Sequence, residues 1–377
     1  MRSWLAGKPP KESVLKQITP PAEERGPGLN TSGEFKPFVI QTCECRADPE
    51  ARRFELAPPK HDILAPFEIH DPFGIRNAIV PVFRETLDGH MYGMGTAFHL
   101  DGFGNFLSAY HVVDFIHDMP QSRPILFLSM HAVVYGTVGI PADCFVPAAQ
   151  VYASMAEMND PMAALRGKSE RQPAIDVALI APEPLGPDVR RPQSLPVRLR
   201  RWIPVIGEYV LAVGFPQLDL SELNVQKQTA LLTEGMQGAY GRIVAIHPDG
   251  VSTTNSTPVF EVEGDWPGGM SGGPVFNGAG EVVSMVSRSL RAEGGLPGAG
   301  FAVYFAATQD LSYFVKGLDK DNPGWRVGWG LICAESNELL DFFETEKVAQ
   351  AELGRFDQQI HVRSISNKIG TLEYMEN

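Results

Sequence analysis

Trp266-Pro267-Gly268-Gly269-Met270-Ser271-Gly272-Gly273-Pro274-Val275-Phe276 is the stretch whose reading decides the fold. One serine sits in a glycine-crowded turn. A short Asn277-Gly278-Ala279-Gly280 turn and the apolar run Val282-Val283-Ser284-Met285-Val286 follow it. Glycines on both sides of a serine let the backbone approach a substrate and take φ values that other residues resist. The N–H groups of Gly269 and Ser271 can then point at one place. Acyl transfer needs that pairing: a nucleophilic hydroxyl beside a preformed hole for a developing oxyanion. Taken alone, the stretch also fits a glycine-rich hairpin loop with an incidental serine. The catalytic reading needs a base and an orienting acid from elsewhere in the chain.

Two stretches upstream supply them. Ser108-Ala109-Tyr110-His111-Val112-Val113 places a histidine just after an apolar strand candidate. Ala174-Ile175-Asp176-Val177-Ala178-Leu179-Ile180 places a single carboxylate inside an otherwise apolar strand candidate. A carboxylate there is costly to bury unless a donor meets it, and an imidazole N–H is a fitting donor. His111 alone reads as a structural or surface histidine, and Asp176 alone as a turn or edge residue. With Ser271 they make a base, an orienting acid and a nucleophile.

From about residue 75 to 317 the chain resembles the trypsin-like, chymotrypsin-fold serine peptidases, nearest their bacterial, disulfide-free branch. Gly95-Thr96-Ala97-Phe98 with Ser108–Val113 resembles the histidine block of that family. Asp176-Val177-Ala178-Leu179 resembles its aspartate block, and Gly269-Met270-Ser271-Gly272-Gly273-Pro274 its serine block. The resemblance implies an all-β fold of two six-stranded antiparallel β-barrels with the active site between them. It implies a His111–Asp176–Ser271 catalytic triad and an oxyanion hole from the N–H groups of Gly269 and Ser271. Met270 stands where secreted digestive members carry an aspartate that pairs with a newly cut N-terminus, so that activation switch is not expected. Tyr110 stands where a small residue is usual. Asp265, six residues before Ser271, has the spacing of an acidic pocket floor for Arg or Lys. Ser287, Arg288 and Ser289 are expected to border the same substrate pocket, where Arg288 opposes a basic side chain.

Texture around these blocks is that of an all-β protein. The 377 residues include 37 glycines and 31 prolines, and 44% are hydrophobic. Short β-branched and aromatic runs recur between turn signals. Residues 1–70 read as a Pro-rich N-terminal extension, with Phe38-Val39-Ile40-Gln41 as a strand able to dock on the body. Residues 71–317 read as the peptidase domain, with barrel 1 at about 75–185 and barrel 2 at about 200–317. Residues 318–377 read as a C-terminal extension, with an amphipathic helix expected over 337–353. Residues 152–173 and 217–236 read as loops, and 310–316 as a short closing helix.

Composition excludes some partners. The net charge of −13 and the absence of a long basic run argue against nucleic acid. No stretch approaches the roughly 18 apolar residues of a membrane span. No phosphate loop, dinucleotide fingerprint or Cys/His cluster is present, so neither cofactor nor metal is expected. The N-terminus lacks the apolar core of a secretory signal. The 4 cysteines are too few for a disulfide framework. A cytoplasmic location follows as the expectation. The expected activity is that of an intracellular serine endopeptidase on protein or peptide substrates, regulated or narrow in specificity, with a regulatory protein partner as a further expectation. The alternatives are a pseudoprotease that binds protein in the same cleft and an esterase using the same triad. The order His111, Asp176, Ser271 is opposite to that of α/β-hydrolases.

Overall fold

The structure is a computed structural model. It describes residues 35–42, 52–59, 62–70, 75, 77–100, 104–119, 121–129, 140–157, 171–186, 189, 192, 195, 197, 202–216, 218–220, 223–251, 256–290, 298–308, 311, 317, 319, 325–356, 358–368 and 373–377. The first 34 residues, Cys43, Cys45, the strand candidate at 132–135, residues 158–170 and all but Leu311 of the expected closing helix lie outside them.

Six antiparallel strands close the first barrel. Around it run Ile79–Glu85, Met91–His99, Phe106–Ser108, Arg171–Pro182, Phe145–Glu157 and Ile125–Phe127, which returns to the first. The second barrel runs Tyr209–Gly214, Pro274–Phe276, Val282–Leu290, Ala299–Val303, Val259–Glu263 and Gln237–His247. Pairing of Tyr209–Gly214 with Gln237–His247 closes it. This is the all-β, two-barrel architecture that the sequence led us to expect, and in each barrel closure pairs the two end strands with each other.

Tyr209–Gly214 shows why its continuous apolar reading makes a strand. Val210 and Ala212 enter the interior of the second barrel, whereas Leu211 and Val213 enter a core that continues into the first. A strand buried on both faces has no polar alternation to display.

The N-terminal segment docks on the second barrel. Phe38–Thr42 and Arg52–Leu56 form a hairpin, and Phe67–Glu68 adds a short strand beside Gly238 and Gln237. One phenol clips both hairpin strands. The Tyr240 hydroxyl accepts the Phe38 N–H at 2.8 Å and donates to the Leu56 carbonyl at 2.6 Å. Phe35 and Phe38 pack edge-on against its ring. Burial pushes the phenol pKa up. Tyr240→Phe strands a buried donor and a buried acceptor, so we expect a loss of about 1–3 kcal/mol. Denaturant unfolding measures the loss, and faster hydrogen exchange at the Phe38 amide locates it. Unchanged stability and protection would show that the hairpin does not depend on this clip.

Three elements differ from expectation. Of the expected loop at 152–173, residues 152–157 and 171–173 extend the strands Phe145–Glu157 and Arg171–Pro182, because Met155, Ala156 and Glu157 pair with Pro173, Gln172 and Arg171. Within 217–236, Val225–Glu234 is a helix, started by the Asn224 side chain accepting the Lys227 N–H at 3.0 Å. In the C-terminal part, Leu339–Phe343 is a strand buried at every position, and the helix is confined to Glu346–Glu352. Leu339-Leu340-Asp341-Phe342-Phe343 satisfies a helical spacing and a buried-strand run equally well. Pairing with Trp325–Cys333 decides for the strand. The resulting sheet runs Leu339–Phe343, Trp325–Cys333, Ile360–Lys368, Tyr374–Glu376.

Candidate active site

Strand Phe106–Ser108 ends at Ala109, whose extended backbone leads into the single turn Tyr110–Val113. Val112 and Val113 are buried and anchor that turn, which leaves the His111 side chain 43% exposed. Tyr110 is buried, with its hydroxyl on the His117 ring.

Asp176 stands on strand Arg171–Pro182 between buried Ile175 and Val177. Its side chain is 18% exposed and carries three donors. His111 Nδ1 lies 3.0 Å from each carboxylate oxygen. The His111 backbone N–H donates to Oδ1 at 3.1 Å, and the Ser287 hydroxyl donates to Oδ2 at 2.6 Å. The Asp176 N–H in turn donates to Thr257 Oγ1 at 2.8 Å, across the seam between the barrels. A carboxylate placed in this way holds the proton of the imidazole on Nδ1, which leaves Nε2 as the basic nitrogen. Burial pulls the His111 pKa down. The hydrogen bond and charge of Asp176, with the charge of Asp114, push it up, and Arg288 pulls it down again; the balance lies above the ordinary value.

Ser271 lies in the turn between Pro267 and Pro274, half-buried. Met270 is fully buried in the second barrel's core and pins the loop from below, where an aspartate is absent. Gly272 has φ +84°; its N–H donates to the Val286 carbonyl at 2.8 Å, and the Gly273 carbonyl accepts from Val286 at 2.8 Å. The Ser271 carbonyl accepts the Thr96 N–H at 2.8 Å. A methyl group on Gly95 would lie 2.8 Å from that carbonyl and 2.6 Å from Val112, so one glycine brings the serine loop and the histidine turn together. Among the described residues, no backbone carbonyl takes the N–H of Gly269 or Ser271. Gly269 has φ +94°, and its carbonyl accepts from the Thr96 hydroxyl at 3.1 Å.

The structure therefore brings His111, Asp176 and the Ser271 loop to the seam between the barrels. The specificity residues fare differently. Ser287 was expected to border the substrate pocket; it is 2% exposed and its hydroxyl is committed to Asp176. Asp265 is half-buried, with its N–H on the Leu64 carbonyl at 3.4 Å, and no cation among the described residues meets its carboxylate. Arg288 is exposed, 5.6 Å above the Phe301 ring, and Ser289 is half-buried.

Sequence reasoning missed Thr96, Thr257 and the Asp176-holding role of Ser287. Thr96 carried a signal, a buried hydroxyl in the apolar run Gly95–Phe98. Its oxygen accepts the Phe215 N–H at 2.9 Å while donating to Gly269. Among the described residues, no group of His, Cys, Asp and Glu side chains could hold a metal ion. No helix among them is long and apolar enough to cross a membrane.

The family model of the trypsin-like peptidase domain matches residues 95–285, just over half of the chain, and that stretch contains His111, Asp176 and Ser271. The chain is 33% identical over 150 residues to a probable periplasmic serine endoprotease DegP-like of Pseudomonas savastanoi pv. phaseolicola, covering 39% of this chain and 27% of that protein. It is 30% identical over 182 residues to the like-named protein of Ectopseudomonas mendocina, covering 48% of this chain and 33% of that one. The match thus spans about a quarter to a third of the relatives' length. A solved structure of the Rv3671c protease in an inactive form covers 63% of this chain and 88% of its own, with 18% identity and a TM-score of 0.35. The relatives are named as periplasmic, which overturns the cytoplasmic, intracellular placement expected from the N-terminal sequence and the few cysteines. With the family model spanning more than half of its length, the chain belongs to the trypsin-like peptidase domain family.

Proposed function

We propose that the protein is a serine endopeptidase that cleaves peptide bonds through an acyl-enzyme, with Ser271 as nucleophile, His111 as general base and acid, and Asp176 as the orienting acid. The observation that carries this reading is the Asp176 carboxylate, which takes the Nδ1–H and backbone N–H of His111 together with the Ser287 hydroxyl at the barrel seam. The relatives' names support a periplasmic setting.

In this mechanism His111 Nε2 takes the Ser271 proton as Oγ bonds to the substrate carbonyl carbon. The carbonyl π electrons move to oxygen, and the N–H groups of Gly269 and Ser271 hold that oxyanion. Collapse breaks the C–N bond, and the imidazolium returns its proton to the leaving amine. Water repeats the sequence on the ester and frees Ser271. The charge of Asp176 stabilises the imidazolium at both stages.

Asp176→Asn tests the reading. The amide presents N–H where the imidazole needs an acceptor, so it favours the wrong tautomer. We expect kcat to fall by about 10⁴-fold. The pH profile carries the sign. The base works when neutral, so kcat/KM rises as His111 loses its proton, with a midpoint above that of an ordinary imidazole. Without the carboxylate that midpoint moves down. Equal rates and an unmoved midpoint in Asp176→Asn would remove Asp176 from the mechanism.

A further inference from the structure

The strand Val282–Leu290 carries a β-bulge between the serine loop and its outer end. Val286 pairs with Ala302, and the next pair is Arg288 with Phe301, so Ser287 is the extra residue. A bulge re-aims the side chains on either side of it. Here Ser287 turns inward to Asp176 at 2.6 Å, and its neighbour Arg288 stands exposed.

Three observations single out this arginine. Its charge reaches the His111 imidazole, where it works against Asp176 and Asp114. No carboxylate among the described residues pairs with it. Its guanidinium lies over the Phe301 ring at 5.6 Å, a flat support for a planar cation. Of the charges that act on the imidazole, Asp176 is committed to three donors and Asp114 is acidic. The guanidinium is the cation left to an incoming chain, in a protein whose net charge is −13.

We propose that Arg288 is a specificity determinant that takes an acidic side chain of the substrate close to the scissile bond. The proposal rests on the triad reading for where that bond lies. A guanidinium presents paired N–H donors that match both oxygens of a carboxylate, and closure of substrate over the cleft strengthens the pair by removing water. A lysine or arginine at the same place meets like charge, which selects against it as well. This reading gives the opposite preference to the one expected from Asp265.

The test uses the full chain and peptides that differ only in Glu, Gln or Lys at the two residues on either side of the cleaved bond. We expect kcat/KM for the Glu peptide to exceed that for the Gln peptide by about tenfold, with Lys poorest. Arg288→Gln brings the Glu-to-Gln ratio to about one, Arg288→Glu turns the preference toward Lys, and Arg288→Lys keeps part of the original ratio. Dissociation constants of the same peptides on Ser271→Ala give the ratio without hydrolysis. A Glu-to-Gln ratio near one in the wild type, or a ratio that survives Arg288→Gln, overturns the assignment. A binding ratio that follows Arg288 in a wild-type protein with no cleavage supports Arg288 and defeats the triad reading instead.

Discussion

Ser271→Ala is expected to lower peptide hydrolysis by about a millionfold while leaving the thermal unfolding midpoint near that of the wild type. The separation of the two readouts follows from how the residue is held. The Ser271 carbonyl accepts from Thr96, Met270 fills the core below, and Gly272 bonds to Val286. None of these uses the Ser271 hydroxyl. Only the proposed nucleophile is lost, and the N–H groups of positions 269 and 271, the proposed oxyanion hole, remain for an oxyanion formed by water attack. Residual activity over the uncatalysed rate is therefore expected, on the order of 10³–10⁴-fold. Hydrolysis of a fluorogenic peptide by Ser271→Ala at more than a hundredth of the wild-type rate would mean that another group attacks.

Gly272→Ala is expected to act on the fold itself. A methyl group there would lie 2.1 Å from the Thr96 carbonyl oxygen, 2.4 Å from Ser108 Oγ and 2.9 Å from the Ala109 nitrogen. These atoms belong to the first barrel, and Ser108 Oγ already donates to the Thr96 carbonyl at 2.7 Å. They cannot move away without disturbing the strand that delivers His111. The positive φ adds strain for any L side chain. We expect a loss of about 3 kcal/mol or more, or roughly 6–12 °C in unfolding midpoint, together with loss of activity. A Gly272→Ala protein that melts and cleaves like the wild type would show that the serine loop does not sit against the first barrel as described.

The sequence made His111, Asp176 and the Ser271 loop legible because each is a local anomaly. A histidine, a lone carboxylate and a glycine cluster interrupt apolar strand texture. The barrels were legible for the same reason, as short β-branched runs between turns. Long-range partners were not. Thr257 reaches Asp176 over 81 positions and Ser287 over 111, and neither bond leaves a mark at its own position. Ser287 was read as a pocket border because the bulge that turns it inward is fixed by the register with Ala299–Val303. The helix Val225–Glu234 was read as loop because its run of polar residues hides the Asn224 cap. Leu339–Phe343 was read as helix because its four apolar residues, two on either side of Asp341, fit both periods. The compartment could not be read from four cysteines, since a barrel core of this size needs no disulfide in any compartment.

The central claim is that Ser271 is made nucleophilic by the His111–Asp176 pair. Labelling of the purified full chain with a fluorophosphonate, which bonds covalently to an activated serine, tests it most directly. The account predicts labelling of the wild type at one site, mapped to Ser271, and its loss in both Ser271→Ala and His111→Ala. Labelling that persists in His111→Ala at the wild-type rate, or no labelling of a folded wild-type protein, would contradict it.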